Sequence, residues 1–108
     1  MNHIINIKPL SVNEAWKGQR FKTDKYNEYI YKMHFLLPKT IEFPDEKNIK
    51  IAIEFGFSNK LSDLDNPTKN FLDCLVKKYK VDDRNITEIH LFKAIVKKGS
   101  EYIKFRVY

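Results

Sequence analysis

The chain has 108 residues, of which 43% are hydrophobic and 31% charged, and 20 Lys and Arg against 14 Asp and Glu leave a formal net charge of +6. This composition predicts one globular domain over residues 1–108 and excludes a disordered chain. Cys74 is the single cysteine, which excludes a disulfide framework, and no stretch reaches the ~18 apolar residues in a row that a membrane span needs. The positive charge favours a nucleic acid partner, and the N-terminus has no secretory signal, so we expect a cytoplasmic protein.

The first half of the chain begins with a strand, a polar loop and a helix. Residues 3–8 (HIINIK) are predicted to form a short strand, and residues 9–22 lack a hydrophobic period, which predicts a loop. Thr23 is a suitable N-cap for the helix, and Pro38 ends it. The apolar residues between them recur at helical spacing and are Tyr26, Tyr29, Ile30, Met33 and Leu37.

The clearest strand in the sequence begins at Ile49 and ends at Ser58. Large apolar residues alternate there with polar or small ones, so one face of the strand is apolar and Glu54 lies on the other face. The large apolar residues are Ile49, Ile51, Ile53, Phe55 and Phe57.

A second helix follows a loop over residues 59–65. Asn66 or Asp65 can cap this helix, with Pro67 in the first turn, where its missing N–H has no cost. Cys74 lies beside the apolar stripe and is predicted to be a small packing residue. The stripe itself consists of Phe71, Leu72, Leu75, Val76 and Tyr79.

Two strands complete the predicted fold. One covers residues 86–97, and the other carries the alternating residues Ile103, Phe105 and Val107. The Lys98-Gly99-Ser100 turn between them predicts a hairpin. The order β-α-β-α-β-β predicts an α+β (mixed α/β) fold, in which two helices pack on one face of a four-stranded sheet.

An aspartate-rich segment separates the predicted central strand from the second helix. In an extended chain residues two apart point the same way, so Asp63 and Asp65 can direct their carboxylates at one point, where they repel unless a cation lies between them. Asp82 or Asp83 can supply a third carboxylate. Three such groups suit Mg²⁺ or Mn²⁺, and an ion of this kind can polarise a phosphodiester and activate a water.

Two further charged residues follow on the second helix. Lys69 lies one turn after Asp65, and its ammonium could offset the charge that develops on a phosphate in the transition state. Asp73, one turn later, could pair with Lys69. Asp73 or Asp82 could also orient the metal ligands without binding the metal. Structural interpretations compete with these. A D-x-D sequence is common in solvated turns, and a Lys one turn from an Asp is usually a surface pair worth ~0.3–0.5 kcal/mol.

These motifs resemble the RusA family of Holliday junction resolvases. The stretch DLDNPTKNFLDCL, followed by VDD, is similar to the family's core pattern, and KPLSVNEAWKGQRFKTDKYNEYI and KIAIEFGF resemble its N-terminal region and central strand. The resemblance covers about residues 8–97 and implies a small homodimeric Mg²⁺-dependent endonuclease, of a kind often carried by phages and prophages. It also implies that Asp63, Asp65 and Asp83 bind the metal and act in catalysis, with Lys69 as the catalytic lysine.

Basic residues suited to binding DNA phosphates occur in two groups. The second helix ends with Lys77, Lys78 and Lys80, which equally suit the negative end of a helix dipole. The first group lies in and after the N-terminal loop, and the predicted DNA-binding residues there are Asn13, Lys17, Arg20, Lys22 and Lys25.

Two other functions fit the same sequence. A non-catalytic protein of this fold would bind branched DNA with a strong salt dependence and give no cleavage product. A nuclease that prefers flaps or replication forks would carry an identical acidic site and would differ only in its substrates.

Overall fold

The computed structural model describes residues 2–11, 16–17 and 21–108, with the backbone alone for 16–17 and 21–22. None of the helices in this part of the chain is long and apolar enough to cross a membrane. The helices and strands are β1 His3–Ile5, β2 Trp16–Lys17, β3 Phe21–Lys22, α1 Asp24–Leu36, β4 Ile49–Phe57, α2 Thr68–Tyr79, a 3₁₀-helix Asp83–Asn85, β5 Ile86–Ile95 and β6 Tyr102–Val107.

The predicted order β-α-β-α-β-β is confirmed, with two differences near the N-terminus. The segment predicted as a loop includes β2 and β3, which pair as a short antiparallel hairpin. The first strand ends at Ile5 rather than at residue 8, because the Ile7 N–H donates back to the Ile5 carbonyl at 3.0 Å and turns the chain.

The four-stranded sheet has the order β1-β6-β4-β5, so the predicted hairpin between the last two strands is wrong. β5 pairs in parallel with β4, and β6 pairs antiparallel with the opposite edge of β4. The reason is topological: α2 carries the chain back along the sheet, so β5 starts in the same direction as β4 and occupies one edge of it. β6 can then reach only the other edge, where β1 also pairs with it.

Both helices cover the same face of this sheet, as predicted. The alternation in β4 buries its large apolar residues beneath the helices, while Glu54 lies on the open face and accepts a hydrogen bond from the Tyr102 hydroxyl at 2.6 Å. Phe71 of α2 is fully buried, and its ring lies edge-on to the rings of Phe55 and Phe105, with centroids 6.3 and 5.1 Å away. The aromatic residues therefore join the helix layer to the sheet.

The start of α1 confirms the predicted cap, whereas the start of α2 does not. The Thr23 hydroxyl accepts the Tyr26 N–H at 3.2 Å. Pro67, rather than Asn66 or Asp65, is the N-cap of α2, and no side chain caps that helix.

The backbone explains the absence of a side-chain cap on α2. The Asp65 carbonyl, rather than its carboxylate, accepts the Thr68 N–H at 3.2 Å, and the Thr68 hydroxyl donates to the Leu64 carbonyl at 2.9 Å. The carboxylate of Asp65 is consequently not used in building the helix.

The basic end of α2 has a structural role. The Lys77 ammonium donates to the Tyr26 hydroxyl at 3.1 Å. The Lys78 ammonium donates to the carbonyls of His34 and Leu37, the second at 2.8 Å, and these groups lie at the C-terminal end of α1. Both lysines thus tie α2 to α1, and Lys78 satisfies carbonyls that the end of a helix leaves unpaired.

The interior of α2 carries one buried amide and the single cysteine. The Asn70 side chain donates to the Leu10 carbonyl at 2.8 Å and so attaches the segment after β1 to the helix. Cys74 is buried as predicted, and its thiol donates to the Asn70 carbonyl at 3.3 Å. Burial raises the pKa of the Cys74 thiol to about 12, so the group is neutral at physiological pH.

Candidate active site

One face of α2 and the facing side of β5 form a groove that gathers most of the predicted site. Lys69 and Asp73 lie one helical turn apart on that face, and Asp65 from the preceding loop and Asp83 from the 3₁₀-helix complete the charged part of the lining. The volume of the groove is about 440 Å³. Its other lining residues are Thr68, Leu72, Val76, Ile86, Ile89 and Leu91.

The wall of the groove beside its charged residues is apolar. Leu72 and Val76, predicted as core residues, are only half-buried because they form the groove wall beside Lys69 and Asp73. Asp65, Lys69 and Asp83 are exposed, so the groove presents these charges to solvent beside an apolar wall.

Asp63 and Asp65 line two neighbouring cavities. Asp63 lines a neighbouring cavity of about 260 Å³, together with Ser58 and Glu101. The expectation that both carboxylates point the same way assumed an extended chain, but the backbone bends at Leu64 and Asp65. The Asn66 amide donates to the Asp63 carboxylate at 3.4 Å.

The two candidates for the third carboxylate differ in their surroundings. Asp83 lines the groove, whereas Asp82 caps the 3₁₀-helix by accepting the Arg84 backbone N–H at 2.9 Å. The Arg84 guanidinium also donates to the Asp82 carboxylate at 2.8 Å. Hydrogen bonds from the Arg84 side chain, with the backbone bond, lower the pKa of Asp82 to about 2.

We expect the Asp82 carboxyl to titrate near pH 2 and to move toward its ordinary pKa of 3.8 in Arg84→Met. Because the folded pKa lies below the unfolded one, the stabilisation from this contact is complete above the unfolded pKa. It is lost as the pH falls through the folded value. NMR chemical shifts of the side-chain carboxyl carbon measure both midpoints. Equal midpoints in the two proteins would contradict the assignment.

Lys93 lies outside the predicted motifs and holds the acidic loop, residues 59–65. The Lys93 ammonium donates to the backbone carbonyls of Lys60 and Ser62 at 2.8 and 2.5 Å. Lys93 lies in β5 between Leu91 and Ile95, at the alternate positions that face the helices. A lysine within an apolar alternation is the sequence signal that could have identified it.

The predicted DNA-binding residues lie mostly outside the described residues. Asn13 and Arg20 are among the undescribed ones, and Lys17 and Lys22 are described in backbone only, within the short hairpin. Lys25 is exposed in the first turn of α1. It lines a surface cavity of about 250 Å³ whose other charged residues are Lys8, Glu28 and Lys32.

The donor set suits a hard divalent cation. In the described ranges no three His, Cys, Asp or Glu side chains are grouped so as to hold a metal ion. Mg²⁺, however, is commonly bound through one or two carboxylates together with waters and substrate phosphates rather than in a complete protein cage. Carboxylate oxygens such as those of Asp65 and Asp83 are the ligand type that it takes.

Comparison with known proteins bears on what this groove does. The family model described as endodeoxyribonuclease RusA matches residues 8–106. No match is found among the curated proteins. The family match spans β4, the acidic loop, α2 and β5, and therefore includes every element that lines the groove.

Proposed function

Because the chain belongs to the RusA family of Holliday junction endodeoxyribonucleases, we propose that it cuts four-way DNA junctions by paired symmetric nicks, with Mg²⁺ as cofactor. The observation that carries this proposal is the groove, where Asp65, Lys69, Asp73 and Asp83 line one cavity beside α2. The net charge of +6 attracts polyanionic DNA to the protein surface, and the acidic groove suits a bound cation.

Three aspartates are the proposed metal ligands and catalytic residues. Asp65 and Asp83 are supported by their place in the groove, and Asp63 by its position in the DLDN sequence, which lies within the matched residues 8–106. When bound, Mg²⁺ or Mn²⁺ would polarise the scissile phosphodiester and favour deprotonation of a water.

Lys69 is the proposed group that meets the reacting phosphate. It projects from the first turn of α2 into the groove, one turn after Asp65. An ammonium beside an apolar wall stabilises the negative charge that builds up on phosphate oxygens in the transition state. It also holds the phosphate in place before the reaction.

The two remaining acids have supporting roles in this proposal. Asp73 lines the groove one turn beyond Lys69 and is placed to orient that lysine. Asp82 binds Arg84 through backbone and side-chain hydrogen bonds, which stabilises the short helix that carries Asp83. Asp82 therefore acts through the position of Asp83.

We propose that the chain, as one domain, acts as a homodimer in the cytoplasm. A four-way junction has two equivalent strands to cut, and a two-fold symmetric pair of chains presents two matched sites. The residues proposed to bind junction phosphates are Asn13, Lys17, Arg20, Lys22 and Lys25. Affinity that depends on such contacts falls steeply as salt concentration rises.

A substrate panel tests the proposal. The purified protein is incubated with Mg²⁺ and a four-way junction, a flap, a fork or a linear duplex of equal length, and its mass in solution is measured alongside. We expect rapid nicking of the junction by a dimer, and little nicking of linear duplex. Faster cutting of flaps or forks would favour the alternative nuclease, and junction binding without product would favour a non-catalytic binder.

A further inference from the structure

Lys93 is the one cation that joins the acidic loop to β5 in the described part of the chain. Its ammonium donates to the carbonyl oxygens of Lys60 and Ser62 at 2.8 and 2.5 Å. It also lies 5.8 Å from the ring centroid of Phe57, a buried residue at the end of β4. The side chain thus crosses from the edge strand to the point where the loop leaves the sheet.

The loop has one apolar side chain, Leu64, that packs against the core. Leu61 is 87% exposed, and Asp63 and Asp65 are exposed as well. A short turn orders its beginning, where the Asn59 side chain accepts the Leu61 N–H at 2.8 Å. A segment with so few buried contacts opens at low free energy, so each hydrogen bond to the sheet has a large share in fixing its position.

The two carbonyls that Lys93 binds lie close in sequence to the aspartates, so this contact fixes the backbone next to them. Ser62 directly precedes Asp63, and Asp65 follows two residues later. At the other end of the segment, the hydroxyl of Thr68, the first residue of α2, donates to the Leu64 carbonyl. With both ends of the short aspartate segment attached, the carboxylates are confined relative to Lys69.

We propose that Lys93 is a positioning residue for the cleavage reaction: it anchors the acidic loop to β5 and so places the carboxylates of Asp63 and Asp65. The inference deepens the proposed nuclease function and depends on it. Lys93 is not proposed to touch DNA or metal, because two carbonyl oxygens already engage its ammonium. Its effect is therefore on the rate of the reaction rather than on substrate affinity.

The test compares Lys93→Met with Lys98→Met. Both changes remove one positive charge, and Lys98 lies outside the loop contact, in the turn after β5. At saturating DNA we expect Lys93→Met to cut the junction ~10- to 100-fold more slowly, the range that small misplacements of reacting groups produce. Junction affinity and melting temperature should match those of Lys98→Met, whose cutting rate should be near that of the wild type.

Hydrogen exchange of the backbone supplies a readout that needs no activity. We expect the amides of residues 60–65 to exchange faster in Lys93→Met than in wild type or Lys98→Met, with the exchange of β4 unchanged. Unchanged loop exchange, or a wild-type cutting rate in Lys93→Met, would overturn the positioning role. A wild-type protein that binds but never cuts junctions overturns the proposed function instead, whatever the loop exchange shows.

Discussion

Asp65→Asn is expected to abolish junction cleavage while leaving junction binding nearly unchanged. The substitution keeps the size of the side chain but removes the charge of a carboxylate that lines the groove beside Lys69. Changing a group that only supports a metal ligand typically costs ~10- to 100-fold, and we expect the loss of a ligand itself to exceed that range. Single-turnover cleavage and a gel-shift titration at fixed salt measure the two effects.

Glu42→Gln is the matched control for this variant. Glu42 is exposed in the segment between α1 and β4, and its substitution removes the same charge without touching the groove. Both variants raise the net charge by one, so any general gain in attraction to DNA is shared. If Asp65→Asn cuts at the rate of Glu42→Gln, the assignment of Asp65 as a metal ligand is wrong.

Phe71→Ala is expected to lower the free energy of unfolding by ~3–5 kcal/mol, the range for truncating a buried aromatic residue. Phe71 is fully buried on the side of α2 that faces the sheet, and its ring meets those of Phe55 and Phe105. The cavity left by this truncation cannot be filled without moving the helix that carries Lys69. Urea unfolding followed by circular dichroism measures the change.

Phe35→Ala makes the same chemical change at an exposed position. Phe35 is 68% exposed on α1 and contacts the rings of its helix neighbours Tyr31 and His34. Surface substitutions of this kind usually change stability by ~0.5 kcal/mol or less. A loss in Phe71→Ala no larger than that in Phe35→Ala would contradict the assigned core.

Local patterns in the sequence predict much of this fold. The period-two alternation of β4 requires one buried face, and the structure buries that face beneath both helices. The cap at Thr23 depends on a single side chain and its near neighbours, so it could be read from the sequence as well. Such features need no information about distant parts of the chain.

The pairing of strands could not be predicted in the same way. A glycine turn between β5 and β6 predicts a hairpin, and Gly99 does adopt a φ of +95° there. The strands nevertheless separate, because β4 lies between them and pairs with both. Which edge a strand occupies depends on the path of α2, a property of the whole topology.

The candidate site shows the same division between local and distant information. Helical spacing places Lys69 and Asp73 on one face of α2, as the structure has them. For Asp63 and Asp65, spacing alone predicts a shared direction only in an extended chain, and the backbone bends at Leu64 and Asp65. The contact of Lys93 with the Ser62 carbonyl spans 31 residues of sequence, so no motif contains both groups.

The most direct test of a metal-dependent junction nuclease maps the nicks made on a synthetic mobile four-way junction. The two equivalent strands are labelled in turn, and the wild-type protein is added with Mg²⁺ or with EDTA. We expect nicks at symmetry-related positions in both strands with Mg²⁺, and intact DNA with EDTA. Tight junction binding without nicks in Mg²⁺ or Mn²⁺, or cutting that persists in EDTA, would contradict it.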